Sequence, residues 1–238
     1  MTLIQSLILA FIQGVTEFLP VSSSGHLNLV QHLFGLTPSL SFDIFLNTAT
    51  FLSVIIFFLT KIEFFKKNLL NIIVGTIPAT IVGVFFKDQI EVIFSNIKLL
   101  PFFFLFTSAF VFSTKFFKSK TDTISIKQAF IIGLIQAFAI LPGISRAGST
   151  IFAGLLLGLN PVTAFNFSFS LFIPASLGAI VLDYQNLSFN PQNLPAFILA
   201  FLVGLVALYL LKKSLVNNKF WLFSIYTAIL AIFLFLFL

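Results

Sequence analysis

The chain has 238 residues, 59% of them hydrophobic and 8% charged, with 36 Phe against one Trp and a formal net charge of +6. A soluble domain is about 25% charged, so this composition excludes a water-soluble fold and reads as an integral membrane protein. The absence of Cys excludes a disulfide framework, a thiolate metal site and a catalytic thiol, and the placement of the Lys residues points away from nucleic acid as a partner.

From Leu3 the chain is apolar to Leu19, breaks at Pro20-Val21-Ser22-Ser23-Ser24-Gly25, and resumes for only about ten residues to Leu36. No Lys or Arg precedes Lys61, so this stretch lacks the basic start of a cleaved signal peptide and is expected to remain in the mature chain. Three runs long enough to span a bilayer follow, near Phe42–Thr60, Leu69–Phe86 and Val92–Phe112. A second interrupted region runs from Ile124 to Leu141, breaks at Pro142-Gly143-Ile144-Ser145-Arg146-Ala147-Gly148-Ser149, and resumes to about Leu159. Three more spans are expected near Val162–Leu182, Leu194–Leu211 and Phe220–Leu238.

Charge orients these segments. Lys61, Lys66 and Lys67 follow the first span, Lys115, Lys118, Lys120 and Lys127 the third, and Lys212, Lys213 and Lys219 the fifth, while Lys87, Lys98, Asp88, Glu91 and Asp183 occupy the alternate loops. The positive-inside rule makes the Lys-rich loops cytoplasmic. That is consistent only if each interrupted region crosses an even number of times. A helix of about ten residues rises about 15 Å and cannot cross a core about 30 Å thick, so each region is expected to be a re-entrant hairpin whose break lines a cavity.

The two breaks also resemble each other. Ile12-Gln13-Gly14 through Leu19-Pro20-Val21-Ser22-Ser23-Ser24-Gly25 aligns with Ile135-Gln136-Ala137 through Leu141-Pro142-Gly143-Ile144-Ser145-Arg146-Ala147-Gly148, with a one-residue gap on each side, and three spans follow each. A unit with an odd number of full crossings must reappear upside down. The expected fold is therefore an all-α polytopic membrane protein of six full transmembrane helices plus two re-entrant helical hairpins arranged as an inverted repeat. It forms one domain over 1–238, with halves near 1–122 and 123–238, and the two hairpin turns meet near the midplane.

Ionisable groups inside a membrane are functional candidates by default. Arg146, the one Arg, lies in the second break. Its planar guanidinium suits a phosphate or carboxylate ligand; the alternative is an internal ion pair with Glu17 that ties the hairpins together. Glu17 and His26 are the acid/base candidates of the first break, with Ser22, Ser23 and Ser24 between them. Helices beginning after each break would turn unpaired N–H groups toward an anion, which makes Ser22, Ser24, Gly25, Ser145, Gly148, Ser149 and Thr150 candidate phosphate contacts. Gln13 lies one turn before Glu17 and shares its face. Asp43 and Asn47 repeat that spacing and are supporting candidates, although a solvated helix end also explains Asp43. His32 reads as interfacial, Asn166 as a packing polar group, and Pro78, Pro101 and Pro174 as kinks.

At these residues the chain resembles the bacitracin-resistance family of undecaprenyl-diphosphate phosphatases. Gln13-Gly14-Val15-Thr16-Glu17-Phe18-Leu19-Pro20-Val21-Ser22-Ser23-Ser24-Gly25-His26-Leu27 is similar to that family's first signature and Leu141-Pro142-Gly143-Ile144-Ser145-Arg146-Ala147-Gly148-Ser149-Thr150 to its second. Phe42-Asp43 and the stretch from Phe167-Ser168-Phe169 to Pro174 extend the likeness. The resemblance implies a multi-pass enzyme of the bacterial inner membrane that removes the terminal phosphate of undecaprenyl diphosphate, recycles the lipid carrier for wall polymers and confers bacitracin resistance. It puts the catalytic groups at Glu17, Ser23, His26 and Arg146. Both termini are expected outside, with the site open to the outer side. Ser23, His26 and water stay open as nucleophile. A divalent cation, Mg²⁺ or Ca²⁺, bridging Glu17 and the diphosphate is an expected cofactor, weakened by Gln13 where many members carry Glu. Membrane lipids are expected partners and a homodimer stays open. The rival reading is a transporter or flippase for a phosphorylated polyprenyl lipid.

Overall fold

A computed structural model of the chain describes residues 1–36, 40–118, 121–182 and 191–237. Of the loop charges expected to orient the spans, Lys120 and Asp183 fall outside the described residues. The described residues are helical, with one isolated bridge between Thr121 and Leu159. In chain order the helices are α1 (Leu3–Thr16), α2 (Ser23–Leu33), α3 (Leu40–Phe58), α4 (Ile62–Lys67), α5 (Leu69–Phe85), α6 (Lys87–Ser95), α7 (Leu100–Ser113), α8 (Ile126–Phe138), α9 (Arg146–Leu156), α10 (Pro161–Leu182), α11 (Leu194–Val216) and α12 (Phe223–Phe237). Among the described residues five runs are long and apolar enough to cross a membrane: Phe42–Lys67, Ile97–Phe116, Pro161–Leu182, Pro191–Val216 and Phe220–Phe237. A sixth is reached when α5 is counted with α6, which bends away from it by 79°.

The third span differs from expectation. Val92 belongs to α6, and the crossing starts at Ile97. Two local features cut the apolar run. The Asn96 side chain accepts from the Lys98 N–H and caps a short 3₁₀ turn, and Pro101 sits in the first turn of α7, where its missing N–H costs nothing. The fifth span continues past its expected end, so Lys212 and Lys213 stand on the last turns of α11, where long cationic side chains reach the interface and meet the negative end of the helix dipole.

α1/α2 and α8/α9 form two hairpins of 14 and 11, then 13 and 11 residues. At 1.5 Å per residue the longest arm is about 21 Å, short of a bilayer core. The two hairpins are bounded by the same devices. α1 opens with a capping box of Thr2 and Gln5, α8 with one of Ser125 and Gln128, each satisfying two otherwise orphaned N–H groups. α2 closes through Gly35 at φ +64°, with Gly35 N–H to His32 O and Leu36 N–H to Gln31 O; α9 closes through Gly158 at φ +86°, with Gly158 N–H to Leu155 O and Leu159 N–H to Gly154 O. Each matched pair stands 123 positions apart. Gly is required at these two ends because left-handed backbone disfavours a Cβ.

Packing between helices repeats in the same way. α5 lies against α8 as α1 lies against α11, α3 against α11 as α10 against α5, and α7 meets α12 while α3 meets α10. Each partnership turns into another, or into itself, when the two halves are exchanged. Small residues permit the closest crossings: a Cβ on Gly133 would fall on the Gly75 carbonyl of α5, and one on Gly14 would come 2.9 Å from the Ala200 carbonyl of α11. An aromatic core fills the space beside the first break. Phe18, fully buried, packs edge-on against Phe169 at 5.7 Å and Phe172 at 6.1 Å, and Phe58 stacks on Phe165 and Phe169.

Gly133→Ala should therefore destabilise the fold by about 1–3 kcal/mol, the usual cost of overpacking, read as a lower thermal unfolding midpoint in detergent. Gly178→Ala, whose added methyl meets nothing within 4 Å, should leave that midpoint unchanged.

Candidate active site

The two breaks touch. A Cβ on Gly25 would lie 3.0 Å from Gly143 Cα, and one on Gly148 would lie 3.2 Å from Pro20 Cβ. Gly143 itself is at φ +88°, so the second turn needs glycine for its backbone as well as for clearance. Thr107 of α7 pins this turn: its hydroxyl donates to Gly143 O at 2.8 Å and accepts from the Ser145 N–H at 2.9 Å.

Glu17 occupies the point of contact. It ends α1, its own N–H still bonded to Gln13 O, so its side chain projects from a helix end into the break. Oε2 accepts from the Ser23 hydroxyl at 2.6 Å and from Gln13 Nε2 at 3.2 Å, and Oε1 accepts from Arg146 Nη2 at 3.4 Å. Gln13 also donates to Thr50 Oγ1 of α3 at 3.3 Å. The Arg146 guanidinium lies 4.0 Å over the Phe172 ring and 5.5 Å from that of Phe169, so its plane is held by an aromatic face while one edge meets the acid. Its Nη1 is buried without a partner. An uncommitted guanidinium N–H pair beside a carboxylate is suited to an incoming anion.

The two helix starts differ. Ser22 has φ +69° and makes no side-chain cap, so the first N–H groups of α2, from Ser23, Ser24 and Gly25, receive nothing from it. Its hydroxyl lies 3.4 Å from that of Ser24. Ser145, by contrast, caps α9 conventionally, accepting from the Gly148 N–H at 3.0 Å. Thr150 bonds Arg146 O and, at 2.6 Å, the Ser168 hydroxyl of α10. Ser145, Gly148 and Thr150, expected as phosphate contacts, thus have their polar groups engaged in holding the second hairpin. Ser149 Oγ is buried and unpartnered.

His26, expected beside Glu17 and Arg146, makes its bonds elsewhere: Nδ1 to Ser22 O at 2.6 Å and Nε2 to the Tyr226 hydroxyl at 2.8 Å. Asp43 accepts from Gln31 Nε2 at 2.7 Å. One turn on, Asn47 has a buried, unpartnered Oδ1, and its carbonyl accepts from Thr50. Asp43, Asn47 and Thr50 therefore form a polar file along α3 that joins the site through Gln13. Asn166 also keeps an unpartnered Oδ1. The sequence reading missed Thr50, Thr107, Phe172 and Tyr226. Thr50 continues the i, i+4, i+7 spacing of Asp43 and Asn47 and could have been found that way; the others carry no local signal.

Among the described residues no three His, Cys, Asp or Glu side chains gather to hold a metal ion. A cavity of about 770 Å³ lies apart from this chemistry, between α3, α5 and α10, lined by Ile55, Phe58, Leu69, Ile73, Ile77 and Pro174 among others. Neither Glu17 nor Arg146 lines it.

Long apolar helices around a partly buried carboxylate, hydroxyl and guanidinium define the chain as a polytopic membrane protein with a polar cluster suited to an anion. Comparison with known proteins narrows the class. A family profile described as "Bacitracin resistance protein BacA" matches residues 6–233, and the chain belongs to this family, as its two signatures led one to expect. Among curated relatives, the protein named undecaprenyl-diphosphatase in Thermosipho melanesiensis is 43% identical over 96% of this chain and 97% of its own length. Proteins of the same name in Methanococcus maripaludis and Bacteroides thetaiotaomicron are each 40% identical, over 98% and 96% of this chain.

Phe172→Ala should weaken binding of inorganic pyrophosphate to the purified protein roughly 2- to 30-fold, the range a cation–π contact of about 0.5–2 kcal/mol allows. Isothermal titration in detergent would measure it.

Proposed function

We propose that this chain hydrolyses undecaprenyl diphosphate to undecaprenyl phosphate and inorganic phosphate, recycling the lipid carrier for cell-wall synthesis and thereby conferring bacitracin resistance. The observation that carries the reading is the Ser23 hydroxyl donating to Glu17 Oε2 at 2.6 Å while Arg146, paired to Oε1, keeps Nη1 free. A hydroxyl within reach of a base, next to a cation positioned for the departing charge, is the arrangement nucleophilic phosphoryl transfer needs. Transport of a phosphorylated lipid needs the cation and gains nothing from the Ser23–Glu17 pair, so hydrolysis is favoured over a flippase.

In this mechanism Arg146 Nη1 and the uncapped N–H groups of Ser23, Ser24 and Gly25 hold the terminal phosphate, with Ser149 Oγ a further contact. Ser23 Oγ attacks the terminal phosphorus as its proton passes to Glu17. The bond from that phosphorus to the bridging oxygen breaks, and Glu17 hands the proton to the departing undecaprenyl phosphate. Water then attacks the phosphoseryl group and gives a proton to Glu17. The phosphorus–Oγ bond breaks, Ser23 recovers its proton from Glu17, and phosphate leaves. Gln13, held by Thr50, orients the carboxylate throughout, and His26 supports proton transfer at the edge of the site.

One carboxylate without a second acid beside it fits a Mg²⁺ or Ca²⁺ ion shared with substrate phosphates, not a cage made by protein alone. Such an ion, met by Glu17, would supply neutralisation of phosphate charge. For the chain as a whole, the matched hairpin ends and exchanged helix partners support one domain of two inverted halves. The alternating Lys loops support termini outside and a site open to the outer face of the plasma membrane.

Purified protein in detergent should release phosphate from undecaprenyl diphosphate. Glu17→Gln and Ser23→Ala should each lower the rate by about 10²–10⁴, the contribution of a positioned base and its nucleophile. Release unchanged in both variants would contradict the mechanism. Orientation is tested separately: single Cys residues placed at Lys66, Lys118 and Lys213 should all react with an impermeant thiol reagent from the cytoplasmic side, and a split result would contradict the inverted arrangement.

A further inference from the structure

We infer that Tyr226, on the last helix of the chain, is a positioning residue that fixes the tautomer and ring plane of His26 and so makes Nε2 the nitrogen through which His26 exchanges protons. The inference rests on the proposed role of His26 in the hydrolytic site, but its geometry stands alone. Nδ1 lies 2.6 Å from the Ser22 carbonyl oxygen. A carbonyl oxygen only accepts, so Nδ1 carries a hydrogen. In the neutral ring Nε2 is then an acceptor, and the group opposite it at 2.8 Å is the Tyr226 hydroxyl, which donates.

Three further contacts hold this arrangement. The Tyr226 ring lies nearly parallel to the imidazole, 14° between planes with centroids 5.7 Å apart, and the Phe104 ring meets it edge-on at 5.3 Å. Ser22 turns its carbonyl toward the imidazole from a left-handed backbone at φ +69°, a conformation a non-glycine residue adopts only under constraint. His26 is 7% exposed, whereas Tyr226 is 48% exposed, so the tyrosine is the outer residue of the pair. A histidine whose second nitrogen is oriented by a fixed partner is the usual way a fold chooses which nitrogen does the chemistry. Here the two partners come from the two ends of the chain: Ser22 from the first break, Tyr226 from α12.

The test is ¹⁵N NMR of the full-length protein labelled at histidine, in detergent, together with steady-state phosphate release. The chain has two His, so His32→Gln assigns the signals. In the wild type, His26 should show a pyrrole-type Nδ1 and a pyridine-type Nε2. Tyr226→Phe removes one oxygen from a half-exposed ring and should keep the thermal midpoint. It should move the Nε2 signal or populate the other tautomer, and lower kcat about tenfold or more at unchanged KM, a share of what a positioned acid–base group contributes. A wild-type His26 with hydrogen on Nε2 alone, or with two pyrrole-type nitrogens, would overturn the inference. So would a Tyr226→Phe protein with unaltered ¹⁵N signals. Phosphate release absent from the wild type would count against the proposed hydrolysis while the NMR pattern still decided the role of Tyr226.

Discussion

A guanidinium withdrawn from water needs a counter-charge, and here Arg146 meets Glu17 across the junction of two hairpins. Most of what is unusual in the fold serves that meeting. Every arm of the two hairpins is shorter than a bilayer core, and each hairpin carries an irregular turn into the packed interior, where unsatisfied backbone is costly. The turns lie against each other because Gly25, Gly143 and Gly148 present no side chains at the contact. Thr107 satisfies the backbone of the second turn, and Phe169 and Phe172 give the guanidinium an apolar face it can lie against without losing its polar edge. Removing either charge leaves the other stranded, a situation that generally costs more than the pair itself gains.

The hairpins share their scaffolding and differ in their chemistry. Capping boxes at their starts and left-handed glycines at their ends occupy matching positions. Between those ends the first keeps Glu17 and an uncapped helix start, and the second carries Arg146 behind a start closed by Ser145. Gln136, the counterpart of Gln13, is buried with neither amide atom partnered. At the matching turn the second hairpin carries Ile140 in place of Glu17, so the amide lacks the carboxylate that Gln13 serves. The carboxylate and the guanidinium thus come from different hairpins and meet only where the two turns touch.

Much of this was legible in the sequence because membrane physics writes itself in long apolar runs and in Lys placement. The breaks at Pro20 and Pro142 and the short second arms are written in the sequence, and the Glu17–Arg146 ion pair, there an alternative to a ligand for Arg146, is the contact the structure shows. The start of the third span is not legible because the residues from Val92 to Leu100 are mostly apolar; the stop lies in Asn96 capping a 3₁₀ turn and in Pro101 opening the next helix. Tyr226 was invisible for another reason. It lies 200 positions from His26, in a helix whose other polar residues, Ser224 and Thr227, bond nearby backbone carbonyls, so only the packing of α12 reveals its partner. The capping roles of Ser145 and Gly148 were likewise hidden, since a serine ahead of a helix has the same sequence signature whether it serves the helix or a ligand.

The dependence of the fold on the Glu17–Arg146 contact is most directly measured by a double-mutant cycle on thermal unfolding in detergent, using Glu17→Gln, Arg146→Gln and the two combined. If the charges face each other across the hairpins, each single substitution lowers the midpoint and the double variant loses clearly less than the sum of the two. Strictly additive losses would mean that the two side chains do not interact, and the meeting of the hairpins at these residues would be contradicted.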